Sequence, residues 1–320
     1  MPGIKSVLRV TLLGLALVAS ACAHKALPPP APAPPPPPPP PSGDLLRLKA
    51  QPGAISHGQV HVTVETDVAG AQGGHSASRH VELGFDFSDE EKVQAVAPDG
   101  TQTITAELLN AVGHAGPGAS QETVDNVALA LDEVKVRFQR SPRGEVDALQ
   151  ISGVRPPLEE QTARTMLNAL YLAQRGPLLD DKPVPVGGTW KISTSLPPSS
   201  GFTGVVSYLY TYLRDSSGVS MIGCDGSVDG KGGGGGTAQQ MKGSSTASLR
   251  FERESGDLLS STADATVQLS QMVPAQQAIK TGVRQHVRAE WRRVQEDHDK
   301  PGNYVIVPGA EDAPGAPANK

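Results

Sequence analysis

The side chains of this chain that could do chemistry are few, and their spacing brings none of them together. The chain has two cysteines. Cys22 ends the run Val18-Ala19-Ser20-Ala21-Cys22, between an apolar stretch and a proline-rich one. That leaves Cys224, which is a reactive site, an intermolecular bridge or, most simply, a small buried hydrophobe. His57 and His61 are four residues apart. In a strand that spacing is two pleats, about 13 Å, too long for one metal ion. Asp297-His298-Asp299 could grip a cation only weakly, beside a tail rich in Pro and Gly. Asp180-Asp181 and Glu159-Glu160 are adjacent pairs. Adjacent strand residues face opposite ways, and adjacent helical ones diverge by about 100°, so neither pair is an acid–base dyad. Neither Gly-x-Ser-x-Gly nor His-Glu-x-x-His occurs. The expectation is a protein that is not an enzyme and uses no metal or cofactor.

The most distinctive spacing is Tyr208, Tyr210 and Tyr212. In a strand they form a stripe on one face, with Val205, Leu209 and Leu213 on the other, so both faces are expected to be at least partly covered. The stripe is either cross-strand packing under a helix or, with Trp190, one wall of a ligand or partner groove. Tyrosine suits a groove wall because it joins a rigid apolar body to a polar tip.

Lys5 and Arg9 precede the apolar run Val10 to Ala19. About ten residues cannot span roughly 30 Å of hydrocarbon as a helix, but they make a signal-peptide core. With Ala19-Ser20-Ala21 before Cys22, residues 1–21 resemble a bacterial lipoprotein signal. That resemblance implies a diacylated Cys22 thiol, cleavage before it, and an acylated new amine. The family usually carries Leu where Ala19 stands. Ala23 follows, where an Asp retains many such lipoproteins at the inner membrane, so the resemblance implies the outer membrane. Several acyl chains make attachment effectively permanent.

Residues 22–43 are expected to hold the lipidated Cys22 that the resemblance implies, and a tether. Pro28 to Pro41 contains twelve prolines and two alanines. As polyproline II it would project the following body roughly 43 Å from the bilayer. Its simplest role is a spacer; a ligand for an aromatic groove on another protein is the alternative.

A net charge of −5 leaves no basic footprint for nucleic acid. With leader, tether and the tail after residue 300 set aside, about 260 residues remain, enough for a real core. Aromatic residues are only 4% of the chain, so that core must be built from Val, Leu, Ile and Ala.

The elements that position these side chains are mainly strands. Val60, Val62 and Val64 alternate with His61, Thr63 and Glu65; Val81, Leu83, Phe85 and Phe87 alternate with His80, Glu82 and Asp86. Pro98-Asp99-Gly100 is turn chemistry. Turns near 141–144, 215–218 and 255–257 predict three hairpins. Gly230-Lys231-Gly232 to Gly236 fails the phosphate-loop pattern at both ends and reads as a hairpin tip. A helix is expected over 157–175, opened by Pro156-Pro157 and closed by Arg175-Gly176. Val124 to Leu131 fits a helix turn or a strand.

Pro183, Val184, Val186, Gly187 and Trp190 form a Pro-Val-x-Val-Gly-x-x-Trp signature after that helix. The stretch is similar to a family of uncharacterised bacterial lipoproteins, which supplies no catalytic residues. The layout also resembles periplasmic lipid carriers, in which a curved antiparallel sheet wraps a helix.

The expected fold is therefore mainly β (α+β): a curved antiparallel sheet of hairpins packed on one central helix. The β-rich domain spans 44–300, with a disordered tail at 301–320. The expected role is a non-enzymatic binding or scaffold module of the cell envelope, lipid-anchored at the outer membrane and facing the periplasm. Its partner would be an envelope protein; the alternative is carriage of a lipid or other hydrophobic ligand in a sheet–helix cavity.

Overall fold

A computed structural model describes residues 43–72, 75–156, 158, 178–196, 202–216, 218–232, 238–272, 280–297, 303–308 and 310. Its elements are β1 (Ile55–Gln72), β2 (His75–Val96), β3 (Gln102–Ala115), α1 (Gln121–Leu131), β4 (Lys135–Arg140), β5 (Val146–Ser152), β6 (Thr189–Ser195), β7 (Phe202–Ser216), β8 (Val219–Gly232), β9 (Ala238–Glu252), β10 (Leu258–Met272), β11 (Lys280–Glu296) and β12 (Tyr304–Ile306).

All the strands join one antiparallel sheet, in the order β5-β4-β3-β2-β1-β11-β10-β9-β8-β7-β6, with β12 added to β11. Two meanders meet at a central seam. One runs outward from β1 to β5. The other runs inward from β6 to β11, and β11 pairs with β1 from His57↔Val294 to Ala71↔Lys280.

Period-two polarity explains why the sheet has an inside. Val60, Val62 and Val64 of β1 and Val81, Leu83, Phe85 and Phe87 of β2 are all buried, while His61 and Asp86 are half exposed on the opposite face. Turns fall where the chemistry of the chain puts them. Gly100 (φ 85°) closes the β2–β3 turn, with the Thr101 N–H donating to the Asp99 carboxylate at 2.9 Å. The expected hairpins at 141–144, 215–218 and 255–257 are the β4–β5, β7–β8 and β9–β10 connections.

The described helix is α1, the stretch whose pattern fitted either helix or strand. Its buried residues Val124, Val127, Ala128 and Leu131 follow helical spacing, and it packs on β3. Gly113 permits that approach, since a Cβ there would lie 2.5 Å from the Val124 side chain. At 11 residues α1 is about 16 Å long, whereas the 22 residues of β2 extend roughly 70 Å. The helix expected at 157–175 lies outside the described residues, apart from Leu158, which is buried in the main core.

A strap ties the two meanders together at one end. Residues 44–50 run between them. Asp44 pairs with Val184, the Leu48 N–H donates to the Pro142 carbonyl at 2.8 Å, and Arg253 reaches the Asp44 carboxylate at 2.9 Å. Leu46 and Leu48 enter the main apolar cluster, which also takes in Phe85, Phe138, Trp190, Tyr212, Phe251 and Trp291. A second cluster, of Leu196, Phe202, Val206, Val228, Met241 and Val267, lies along β7–β10.

The stretch expected to be a disordered tail contains β12. Tyr304, Val305 and Ile306 have β-forming side chains, and they pair with Glu296, Gln295 and Val294. No helix among the described residues is long and apolar enough to cross a membrane.

Candidate functional site

Trp190, Tyr208, Tyr210 and Tyr212 do come together, on the inner face where β6 pairs with β7. Trp190 stacks on Tyr210 with ring centroids 5.3 Å apart and planes 11° from parallel. Its indole N–H donates to the Leu178 carbonyl at 2.7 Å. The Tyr212 hydroxyl lies 3.2 Å from Ser220 Oγ. Relative exposures of 6% for Trp190, 5% for Tyr210 and 0% for Tyr212 leave these three no free face. Only Tyr208 is half-buried, and it packs against both apolar clusters. The void beside it, bordered by Val206, Gly243, Ser245 and Val267, holds about 10 Å³.

The opposite face of β7 is the more open of the two. Val205, Leu209 and Leu213 are 48%, 43% and 47% exposed. Among the described residues that outer pleat faces solvent. Cys224 is buried, directly across from Tyr210. The Pro-Val-x-Val-Gly-x-x-Trp stretch serves the architecture. Val184 pairs with Asp44, Gly187 takes φ 82°, and Trp190 enters the core. Cys22 lies outside the described residues.

An open groove lies on the other side of the sheet, across the seam. Gln59 and His61 of β1, Asp86 and Ser88 of β2, Asn110 of β3, Glu290 and Arg292 of β11 and Ile306 of β12 surround about 440 Å³. The register explains the assembly: Gln59 lies between Ser88 and Arg292, and His61 between Asp86 and Glu290. A register shift between Asp86 and Ser88 puts Asn110 at φ 56°. Bulges of this kind re-aim a side chain, and asparagine tolerates the left-handed region.

Asp86 organises the groove. His61 Nδ1 lies 2.6 Å from one of its oxygens and His114 Nε2 2.6 Å from the other. Partial burial works against its charge, but the hydrogen bonds from the two histidines outweigh this and hold its carboxyl below the ordinary value. Thr63 Oγ1 is 3.2 Å from His61 Nε2. Thr63, His61 and Asp86 thus stand in the bond order of a hydrolytic triad. Asp86 is shared with His114 on an open face, and β1 lies between β2 and β11, so its N–H groups belong to the ladders rather than to an oxyanion hole. Among the described residues no group of three His, Cys, Asp or Glu side chains is arranged to hold a metal ion.

The inner face also carries charge that the sequence pattern concealed. Asp89 and Glu91 continue the inward phase of β2 and are 1% and 7% exposed. The Trp291 indole N–H donates to Asp89 at 3.2 Å, Arg140 lies 3.6 Å from Glu91, and Arg140 also donates to Gln102 at 3.0 Å. Burial pushes the Glu91 carboxyl up, against the pull of Arg140 and Arg293. The signal was the unbroken alternation Phe87-x-Asp89-x-Glu91-x-Val93, in phase with Val81.

No family model matches the chain, and no curated protein matches it in sequence. Among solved structures it is similar to lipovitellin, described for its lipid–protein interactions, at 12% identity and a TM-score of 0.48. The match covers 82% of this chain and 26% of that one, so the chain spans about a quarter of lipovitellin's length. It is also similar to an outer membrane channel from Pseudomonas putida F1, at 12% identity and a TM-score of 0.21, over 77% of this chain and 97% of the channel. Neither likeness carries a function to this chain.

Proposed function

We propose that the chain is a non-enzymatic binding module of the bacterial cell envelope that works through its outer-face groove. A lipid on Cys22 would hold it at the outer membrane, facing the periplasm, and the polyproline tether would let the body reach away from the bilayer. One contrast carries the reading. Tyr208, the half-buried ring of the inner stripe, borders a void of about 10 Å³, while the groove outside the sheet opens about 440 Å³. Ligand sites commonly fall between about 300 and 1,000 Å³.

Photo-crosslinking in cells tests the groove. A photoreactive amino acid at Ser88 is expected to capture an envelope component, and one at Leu209 on the far meander is not. Equal capture from both positions, or none from Ser88, removes the groove from the account. The anchor has its own test. Cys22→Ser is expected to move the protein from the membrane to the soluble fraction; a variant that stays membrane-bound in high salt is held by something other than lipid.

A second reading is a hydrophobic ligand on the inner face. The observation in its favour is the floor of small residues at Tyr208, where Gly226 and Ser245 lie beside the ring that packs on both apolar clusters. Extraction of the purified chain with organic solvent, followed by mass spectrometry, decides it. A stoichiometric lipid supports this reading, and an empty extract supports the groove.

A further inference from the structure

We propose that the groove binds the neutral sugar units of a polysaccharide, an inference that rests on the groove being the binding surface. Charge is the first argument. The charged groups of the groove have partners within it: Asp86 is hydrogen-bonded to His61 and His114, and Glu290 pairs with Arg292. A bare anion would meet Asp86 and Glu290, and a bare cation would meet Arg292. A neutral polar ligand meets neither conflict.

Hydrogen-bonding capacity is the second argument. Gln59 on β1 and Asn110 on β3 are exposed amides, and Ser88 on the intervening β2 stands between them. Each amide offers donors and acceptors together. A sugar hydroxyl both donates and accepts, so a polyol matches this lining better than an ester or an apolar chain does. Bringing Asn110 to the groove requires a left-handed backbone at a non-glycine residue. Such conformations persist where the surrounding structure enforces them, and they cluster at functional sites.

The third argument is the end of the groove. Tyr304 of β12 is 46% exposed and leans on His57, with ring centroids 5.1 Å apart and planes at 54°. His57 is two residues before Gln59 on β1, so this ring pair stands about 7 Å further along the strand. An aromatic face there gives the C–H side of a second sugar unit an apolar platform, while the groove itself takes the hydroxyls of the first. The floor is open along β1, which suits a linear chain rather than an enclosed small molecule.

The test uses the full-length chain in detergent micelles, titrated with cellotetraose and tetra-N-acetylchitotetraose and followed by saturation-transfer NMR and calorimetry. Binding of at least one of them is expected, weakened about tenfold by Gln59→Ala and by Asn110→Gly. Asn110→Gly retains the left-handed backbone and removes only the amide. Circular dichroism of each variant separates lost binding from lost folding. Failure of both sugars to bind the folded wild-type chain, or binding unchanged in both variants, overturns the proposal. Tighter binding of inositol hexakisphosphate than of either sugar overturns the neutral-ligand assignment. If the sugars fail while crosslinking from Ser88 succeeds, the saccharide class falls and the groove stands; if both fail, the two fall together.

Discussion

Trp190 lies flat on Tyr210 and donates its indole N–H to the Leu178 carbonyl. One side chain thereby joins β6, β7 and the segment leading from β5. Trp190→Ala removes a buried aromatic and leaves that carbonyl unpaired, a change that typically costs about 3–5 kcal/mol. Trp190→Phe keeps a ring on Tyr210 and is expected to cost less. Urea denaturation of both variants checks the order. Equal losses would show that the stacked ring contributes nothing.

Gly58 is inward on β1, and a Cβ there would stand 2.1 Å from Trp291 Nε1 and 2.3 Å from Asp89 Oδ1. Gly58→Ala must therefore separate Trp291 from Asp89 inside the core. Overpacking of this kind costs about 1–3 kcal/mol. The fluorescence of the two tryptophans, compared in Trp190→Phe and in its Gly58→Ala double variant, reports on the Trp291 environment. An unshifted spectrum with unchanged stability contradicts the packing described.

Much of the sheet is legible in the sequence, because period-two alternation is local. Val60, Val62 and Val64 declare one face of β1, and the glycine-bearing turns at 144, 218 and 256 declare three hairpins. What alternation cannot give is register between distant strands. The groove joins Gln59 to Ile306 through pairings that no local pattern encodes. Asp89 and Glu91 were hidden because charge reads as an outward position, and here Trp291 and Arg140 are the partners that allow it inside. Tyr208, Tyr210 and Tyr212 were legible as a stripe, but their burial depends on Trp190 and the strap.

The two shifted groups on the outer face titrate with opposite signs. Asp86 has a lowered folded-state pKa, so its contribution is whole above the ordinary value of 3.8 and is lost as the pH falls from there through the lowered value. His80 is raised, chiefly by its hydrogen bond with Asp67. Its contribution is whole below the ordinary value of 6.5 and is lost as the pH rises through the raised one. Asp86→Asn is expected to be less stable than wild type above pH 3.8, with the gap closing in acid. His80→Gln is expected to show its gap below pH 6.5, closing in alkali. Both gaps are small, because these groups face water. Chemical denaturation across the pH range reads both, and an Asp86→Asn gap that persists in acid, or a His80→Gln gap that persists in alkali, contradicts the assignment.

Thr63, His61 and Asp86 give a direct test of the non-enzymatic reading. Hydrolysis of p-nitrophenyl acetate by the purified chain is expected to match free imidazole in rate per histidine, and His61→Ala is expected to change it only by the loss of one histidine. A rate well above that level, abolished by both Thr63→Val and His61→Ala, would falsify the reading.

The proposed function puts contact with the envelope across the seam. Hydroxyl-radical footprinting of the full chain, in isolated cell envelopes and in purified form, tests it side chain by side chain. His61, Tyr304 and Ile306 are expected to lose labelling in the envelope, while Leu209 and Leu213 are labelled equally in both states. Unchanged labelling of His61, Tyr304 and Ile306, with protection at Leu209 and Leu213 instead, would contradict the account and place the contact on the far meander.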